Sequence, residues 1–171
     1  QELYTVTDEM EKIQRMILDN QVSLYNQVNA LNNAALVSET DATGRISYAN
    51  DLALHTWGYT FEEAIGRKHN LISSDYHGRP FFAQMWRTLA VGRVWRGQVL
   101  NRNRQGVPFW VQLTITPVLS SEAYPESFIG VAFDITERVR QTVQLTSGPD
   151  ARQLAEERNR IQQLLHRIGQ M

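Results

Sequence analysis

The sequence predicts an α+β fold: a five-stranded antiparallel sheet with short helices on one face, flanked at each end by coiled-coil-like helices. Three observations carry this. The stretch from Val94 to Thr136 reads as three consecutive strands, Val94 to Asn101, Phe109 to Val118 and Phe128 to Phe133, rich in β-branched and aromatic residues. Arg104-Gln105-Gly106 turns the first of these into the second. Two further strands precede them, Ala35 to Thr40 and Arg45 to Tyr48, joined by the turn Asp41-Ala42-Thr43-Gly44. Only short helical pieces lie between the two groups, which gives the order helix, two strands, short helices, three strands, helix.

At 171 residues the chain has room for one compact domain plus extensions, and it divides into 1–34, 35–136 and 137–171. Asp8 to Leu31 is the first helix. Its residues Ile13, Ile17, Asn20, Leu24, Gln27 and Leu31 step by four and three, with Met10 extending the row, as in a narrow dimer seam. The two amides weaken such a seam but fix its register, and no second apolar face is needed to explain the pattern. The competing reading is a helix packed on its own domain. Ala49 to Leu71 holds short helices broken by Gly58 and Gly66, and Thr60-Phe61-Glu62-Glu63 has the form of a capping box. A helix from Pro80 to about Ala90 carries Pro80 in its first turn and places Phe82, Met85, Trp86 and Leu89 on one core face. Thr136 caps a segment from Glu137 to about Leu145. A break at 147–149 follows, because Pro149 removes a backbone donor and disfavours helical geometry at Gly148. Asp150 restarts a helix whose seam is Ala151, Leu154, Arg158, Ile161, Leu165 and Ile168.

Composition removes several function classes. The 17 basic and 18 acidic residues nearly cancel and form no basic stripe, which argues against nucleic acid as a partner. The absence of cysteine excludes disulfides, iron–sulfur clusters and thiol chemistry, and fits a reducing cytoplasm. No run approaches the ~18 apolar residues of a membrane span. The chain opens on Gln1 without a signal peptide and reads as a cytoplasmic fragment of a longer protein. His55, His69, His77 and His166 lack the spacing of metal ligands. Ser73, Ser74, Asp75 and His77 share one loop but have neither a strained nucleophile turn nor an oxyanion hole. The fragment itself is not read as an enzyme.

One residue breaks the strand pattern. Period-two alternation puts Trp95, Gly97, Val99 and Asn101 on one face, and Asn101 is a side-chain amide among apolar neighbours. An unsatisfied buried amide costs about 1–3 kcal/mol, so either nearby backbone or a polar ligand should meet it.

From Ala35 to Arg138 the chain resembles a PAS domain, the sensory module of many signalling proteins. Gly44-Arg45-Ile46-Ser47-Tyr48-Ala49-Asn50 is similar to the family's second strand and turn, Trp57-Gly58-Tyr59-Thr60 and Glu62-Glu63-Ala64-Ile65-Gly66 to its short helices, and Asp134-Ile135-Thr136-Glu137-Arg138 to its exit into a signalling helix. Gly66-Arg67-Lys68-His69-Asn70-Leu71, Met85-Trp86, Gly92, Trp95, Gly97 and Asn101-Arg102 resemble the flavin-binding PAS domains of aerotaxis receptors and nitrogen-fixation redox regulators. The light-sensing LOV branch is also similar, through Asn101, Pro108-Phe109-Trp110 and Phe128-Ile129-Gly130-Val131. Its photochemical cysteine is replaced by His69, its second flavin-binding asparagine by Val111 and its signalling glutamine by Ala132, which excludes LOV photochemistry. The basic residues by which the aerotaxis type is expected to contact FAD fall on Ser73 and Ser74 here.

The resemblance implies a pocket on the face that holds Trp95 and Asn101, where Gly130 and Ala132 leave room for a flat ligand. A flavin ring, mostly apolar with one polar edge, suits such a cleft. Asn101 would meet that edge, Trp95 would cover a ring face, Asn50 would help from the helix side, and His69 and Val111 would complete the lining. The bland alternative makes Trp95 plain core and Asn101 the tie of a turn. FAD or FMN is the favoured cofactor, haem through His77 is disfavoured against an exposed loop histidine, and a cofactor-free pocket stays open. The implied function is sensing of redox state, oxygen or a small ligand, relayed by a homodimer through its flanking helices to an output domain of kinase, cyclase or chemoreceptor type. The alternative is a cofactor-free dimerisation or protein-docking module.

Overall fold

A computed structural model describes residues 2–147 and residue 156. The five expected strands are β1 (Leu36–Asp41), β2 (Ile46–Ala49), β3 (Trp95–Arg102), β4 (Pro108–Leu119) and β5 (Pro125–Asp134). They form one antiparallel sheet in the order β2-β1-β5-β4-β3. The last strand inserts between β1 and β4, and Leu36 at the start of β1 faces Ala132 near the end of β5. The helix entering the sheet and the helix leaving it are therefore attached at the same end.

The connecting helices are α2 (Asp51–Trp57), α3 (Phe61–Ala64), a 3-10 turn (His69–Ile72) and α4 (Arg79–Ala90). Their ends are closed as the sequence predicts. Gly58 adopts φ +80° to cap α2, and Thr60 and Glu63 exchange both bonds of the capping box on α3. Glu63 also accepts two bonds from Arg104 at 2.8 Å, tying α3 to the β3–β4 turn. These helices cover one sheet face. The core joins Leu36, Ile46, Trp95, Val99, Phe109, Val111, Phe128 and Ala132 of the sheet to Ala53, Trp57, Ile72, Met85 and Leu89 of the helices. Each large side chain buried there contributes about 1.5–3 kcal/mol, so this single layer is the main source of stability.

Trp86 departs from the expected core face, being 42% exposed. Met85 and Leu89, four residues apart, define the inward direction of α4, and Trp86 lies about 100° around the helix from Met85. Its indole overhangs the β1–β2 turn, edge-on to Phe128 at 5.5 Å and closing over Gly44, where an added Cβ would lie 3.2 Å from the ring.

The first helix, α1 (Glu2–Ala34), is longer than Asp8 to Leu31 at both ends. The seam residues Met10, Ile13, Ile17, Leu24 and Leu31 are all exposed, between 40% and 62%. A second short apolar stripe lies on the same helix. Leu18, Val22 and Tyr25 lie at helical spacing on a different face and are also exposed. The last helix described is α5 (Thr136–Ser147). The expected break at 147–149 is reached only at Ser147, and the second seam and His166 lie outside the described residues. Among the described residues no helix is long and apolar enough to cross a membrane.

Candidate ligand cleft

Strand register arranges the inner sheet face in rows. Trp95 pairs with Ile115, Ile115 with Gly130 and Gly130 with Ser38. The next row is Gly97, Leu113, Ala132 and Leu36, followed by Val99 with Val111 and then Asn101 with Phe109. The structure thus brings Trp95, Gly130, Ala132, Val111 and Asn101 onto one face, as alternation requires. Gly97, Asn101, Leu113 and Ile115 on that face each retain some accessible surface, and this half-buried strip is the candidate cleft.

Trp95 and Asn101 stand at opposite ends of this cleft rather than side by side. Six residues at ~3.3 Å rise put their backbones ~20 Å apart. Trp95 is buried, and its indole leans along the strand over Gly97, where an added Cβ would fall 2.5 Å from the ring. Its Nε1 donates to Gln84 Oε1 at 2.8 Å, and Phe81 meets it edge-on at 5.6 Å. The indole is therefore core and a fixed cleft wall at once. Asn101 is half-buried on the edge strand, and its backbone forms an isolated bridge with Ser73. Its side-chain amide makes no hydrogen bond to another described residue, so the alternative in which Asn101 ties down a turn is not seen.

Asn50 is placed differently from the sequence reading. It is buried, and its Oδ1 accepts from the amides of Val37 at 3.1 Å and Ala53 at 3.0 Å. Its Nδ2 donates to the carbonyl of Ala35 at 2.9 Å and lies 3.2 Å from that of Asn32. The side chain is the N-cap of α2 and the junction of three elements, with nothing left for a ligand.

His69 sits deep in the domain with part of its surface facing the cleft. Its Nε2 lies 3.1 Å from Ser38 Oγ, and its ring packs edge-on against Trp57 at 5.2 Å. Burial pushes its pKa down to about 4, so the imidazole is neutral at ordinary pH. Ser38 was missed by the sequence reading, although the alternation Leu36, Ser38, Thr40 carries the signal that revealed Asn101. Gln84 was missed because nothing local marks it as the partner of Trp95.

His77 is not the solvent-exposed loop residue expected. Its Nε2 accepts the Leu100 amide at 2.9 Å, and its ring stacks on Phe81 at 4.1 Å. That commitment leaves Nε2 unavailable to a haem iron. Among the described residues no group of three or more metal-ligating side chains occurs.

At the far side of the sheet, Asp134 Oδ1 accepts from both the amide and the hydroxyl of Thr136, at 2.8 Å and 2.6 Å. The same hydroxyl oxygen accepts the Trp110 amide at 2.9 Å, and Trp110 returns a carbonyl to the Ile135 amide at 2.8 Å. The start of α5 is thereby pinned to β4.

The family model of the PAS domain matches residues 32–137. The chain belongs to the PAS domain family. It is similar to the nitrogen fixation regulatory protein of Klebsiella pneumoniae, 33% identical over 100 residues that make up 58% of this chain and 20% of that one. The aerotaxis receptor of Escherichia coli (strain K12) is 37% identical over 84 residues, 49% of this chain and 17% of the receptor. This PAS chain spans a fifth or less of the length of both relatives. Among solved structures, an RNA-binding light-oxygen-voltage receptor superposes with a TM-score of 0.63 at 24% identity, covering 76% of this chain and 36% of that one. A light-oxygen-voltage domain studied with a flavin analogue gives 0.59 at 22% identity, covering 72% and 94%. At those identities the likeness shows the fold. This PAS chain is thus a relative of the sensory domains of signalling proteins.

Proposed function

We propose that this PAS domain is the cytoplasmic sensory module of a bacterial signal-transduction protein, holding a flavin, FAD or FMN, in the cleft and reporting redox state, oxygen or a small ligand. The observation that carries the reading is the uncommitted, half-buried amide of Asn101 on a sheet face where Gly130 and Ala132 present little side chain. The residues fit the ring of such a group: a neutral His69, apolar Val111, Leu113 and Ile115, and one amide for its polar edge. A bound flavin would supply reversible electron storage. The chain's own part is to exclude water with the Trp95 wall, to hold the polar edge with Asn101 and to pass any shift of β5 through Asp134 and Thr136 into α5. Signalling of this kind requires the two ligand states to favour two conformations differently. The output would be a kinase, cyclase or chemoreceptor domain elsewhere in the parent protein.

The experiment is visible absorbance of the purified chain before and after reconstitution with FAD or FMN. Flavin bands with fine structure are expected, and Asn101→Leu should weaken retention about tenfold, the worth of one hydrogen bond. Equal flavin content and an unchanged reduction potential in the variant would remove Asn101 from the site.

The second reading, a cofactor-free dimerisation or docking module, is favoured by α1, which leaves two apolar stripes in water. Both readings include a parallel homodimer through the flanking helices. Sedimentation at tens of micromolar should find a dimer, corresponding to about −6 to −7 kcal/mol if half-associated there. Leu24→Asp should shift it to monomer, and a monomeric wild type would dismiss the seam.

A further inference from the structure

β3 is an edge strand, and its free edge is closed over one short stretch by the loop between the 3-10 turn and α4. The closure uses every backbone group that Leu100 presents to that side. Its amide donates to His77 Nε2 at 2.9 Å, and its carbonyl accepts from the hydroxyl of Ser74. Ser73 bridges Asn101 through the backbone, and Asp75 pairs with Arg102 at 3.1 Å. Asp75 holds φ +62°, in the left-handed region that aspartate enters more readily than most residues other than glycine. The loop is thus zipped to the strand residue by residue, as an exposed sheet edge requires.

The central tooth of this zip accepts only while uncharged. With Nε2 taking the Leu100 amide, the ring proton must sit on Nδ1. A proton added to Nε2 would point one donor at another, a contact that cannot persist. His69 differs in this respect, because its partner Ser38 has a hydroxyl that can turn from donor to acceptor.

The neighbours of His77 lead in two directions. Asn101, next to Leu100, carries the free amide of the cleft. Leu100 itself lines an open groove of about 420 Å³ with Pro108, Trp110, Thr136, Val139 and Val143, where α5 lies along the sheet. Trp110 meets the rings of His77 and Tyr76 edge-on at 6.1 Å and 5.4 Å, while its backbone pins the start of α5. His77 therefore stands between the lip of the cleft and the root of the exit helix.

The geometry points to His77 as a proton-operated latch: the neutral ring holds loop 73–77 against β3, and protonation releases the loop and loosens the Leu100–Trp110 wall on which α5 rests. This goes beyond the sensing reading and holds whether or not the cleft carries a flavin. Tyr76 meets the ring edge-on at 5.0 Å, Asp75 and Arg79 lie within two residues of it in the chain, Arg102 reaches the loop through Asp75, and Arg140 of α5 lines the groove beside Trp110. Asp75, the acid among them, is taken up by Arg102. Enclosure by Phe81, Phe82, Tyr76 and Trp110 lowers the His77 pKa below its ordinary 6.5. Closure is therefore complete above that value and is lost as pH falls below it.

The test is amide hydrogen exchange of the whole chain, followed by NMR between pH 7.5 and pH 5 and corrected for intrinsic exchange. In the wild type, protection at Leu100 is expected to drop across that range at least tenfold more than protection at Leu113, in the middle of the sheet. His77→Gln, a neutral acceptor, should keep Leu100 protected at both pH values. His77→Phe should lose that protection at both, with shifted methyl signals from Val139 and Val143. Wild-type protection that does not change with pH, or that falls equally in His77→Gln, would overturn the latch. A ratio of Leu100 to Leu113 protection that stays constant with pH would mean that only global stability had changed, and would overturn it too.

Discussion

Replacing Asn50 by Ala is expected to destabilise the domain by about 3–7 kcal/mol. The arithmetic follows from what each atom does. Removing Oδ1 takes the cap from Ala53 N–H, typically worth ~1 kcal/mol, and orphans the Val37 amide at the start of β1. Removing Nδ2 leaves the Ala35 carbonyl without its donor in a fully buried position. Each buried group left unpaired costs about 1–3 kcal/mol, and domains of this size hold only about 5–15 kcal/mol in total. Urea unfolding should show a lower midpoint with little change in slope. The exposed neighbour Asp51→Ala should stay within about 1 kcal/mol of wild type. A loss below 1 kcal/mol for Asn50→Ala would mean that the junction relaxes or that water replaces the amide. Because Nδ2 also reaches Asn32, near the C-terminal end of α1, the same variant should loosen the attachment of α1 before the sheet melts.

Asn50 also shows where sequence reading succeeds and where it stops. Strand composition, turn residues and alternation are all local, so all five strands were legible from them and the inward face of β3 from period two. The capping box of α3 was legible because its two partners are three residues apart. An asparagine ahead of a helix has two readings, cap or ligand contact, and only long-range geometry decides between them. Val37 lies 13 residues away and Asn32 lies 18. The same limit explains His77. Its partner Leu100 is 23 residues distant on an edge strand, and no local pattern distinguishes it from a loop histidine. Trp86 was misjudged for another reason. Helical spacing gives the direction of the apolar arc but not the width of the sheet beneath it, and here the sheet ends before the arc does. Ser38 was readable, by the rule applied to Asn101.

His69 should make this domain acid-labile in a way that one substitution removes. Its folded pKa of about 4 lies below the ordinary value of 6.5, so the fold prefers the neutral ring while the unfolded chain takes up a proton. Stability from this group is complete above about pH 6.5 and falls as pH drops towards 4. Below that it levels off, at a loss of about 3 kcal/mol as an upper figure, since part of the ring still meets the cleft. The cause is burial, and the partners of the ring among the described residues, Ser38 and Trp57, include no carboxylate to hold the charge. His69→Gln can keep a hydrogen bond to Ser38 without titrating. Urea midpoints at pH 7.5 and pH 4.5 should therefore show the wild type losing about 2 kcal/mol more than His69→Gln. Asp41 and Glu63, whose hydrogen bonds to Thr43 and to Thr60 and Arg104 lower their pKa values, also lose stabilisation in acid, but equally in both chains. Equal acid sensitivity of the two proteins would show that His69 is solvated. The consequence for the cleft follows from the same sign. At neutral pH the imidazole offers the cleft a ring nitrogen but no charge, and acid would make that side of it cationic.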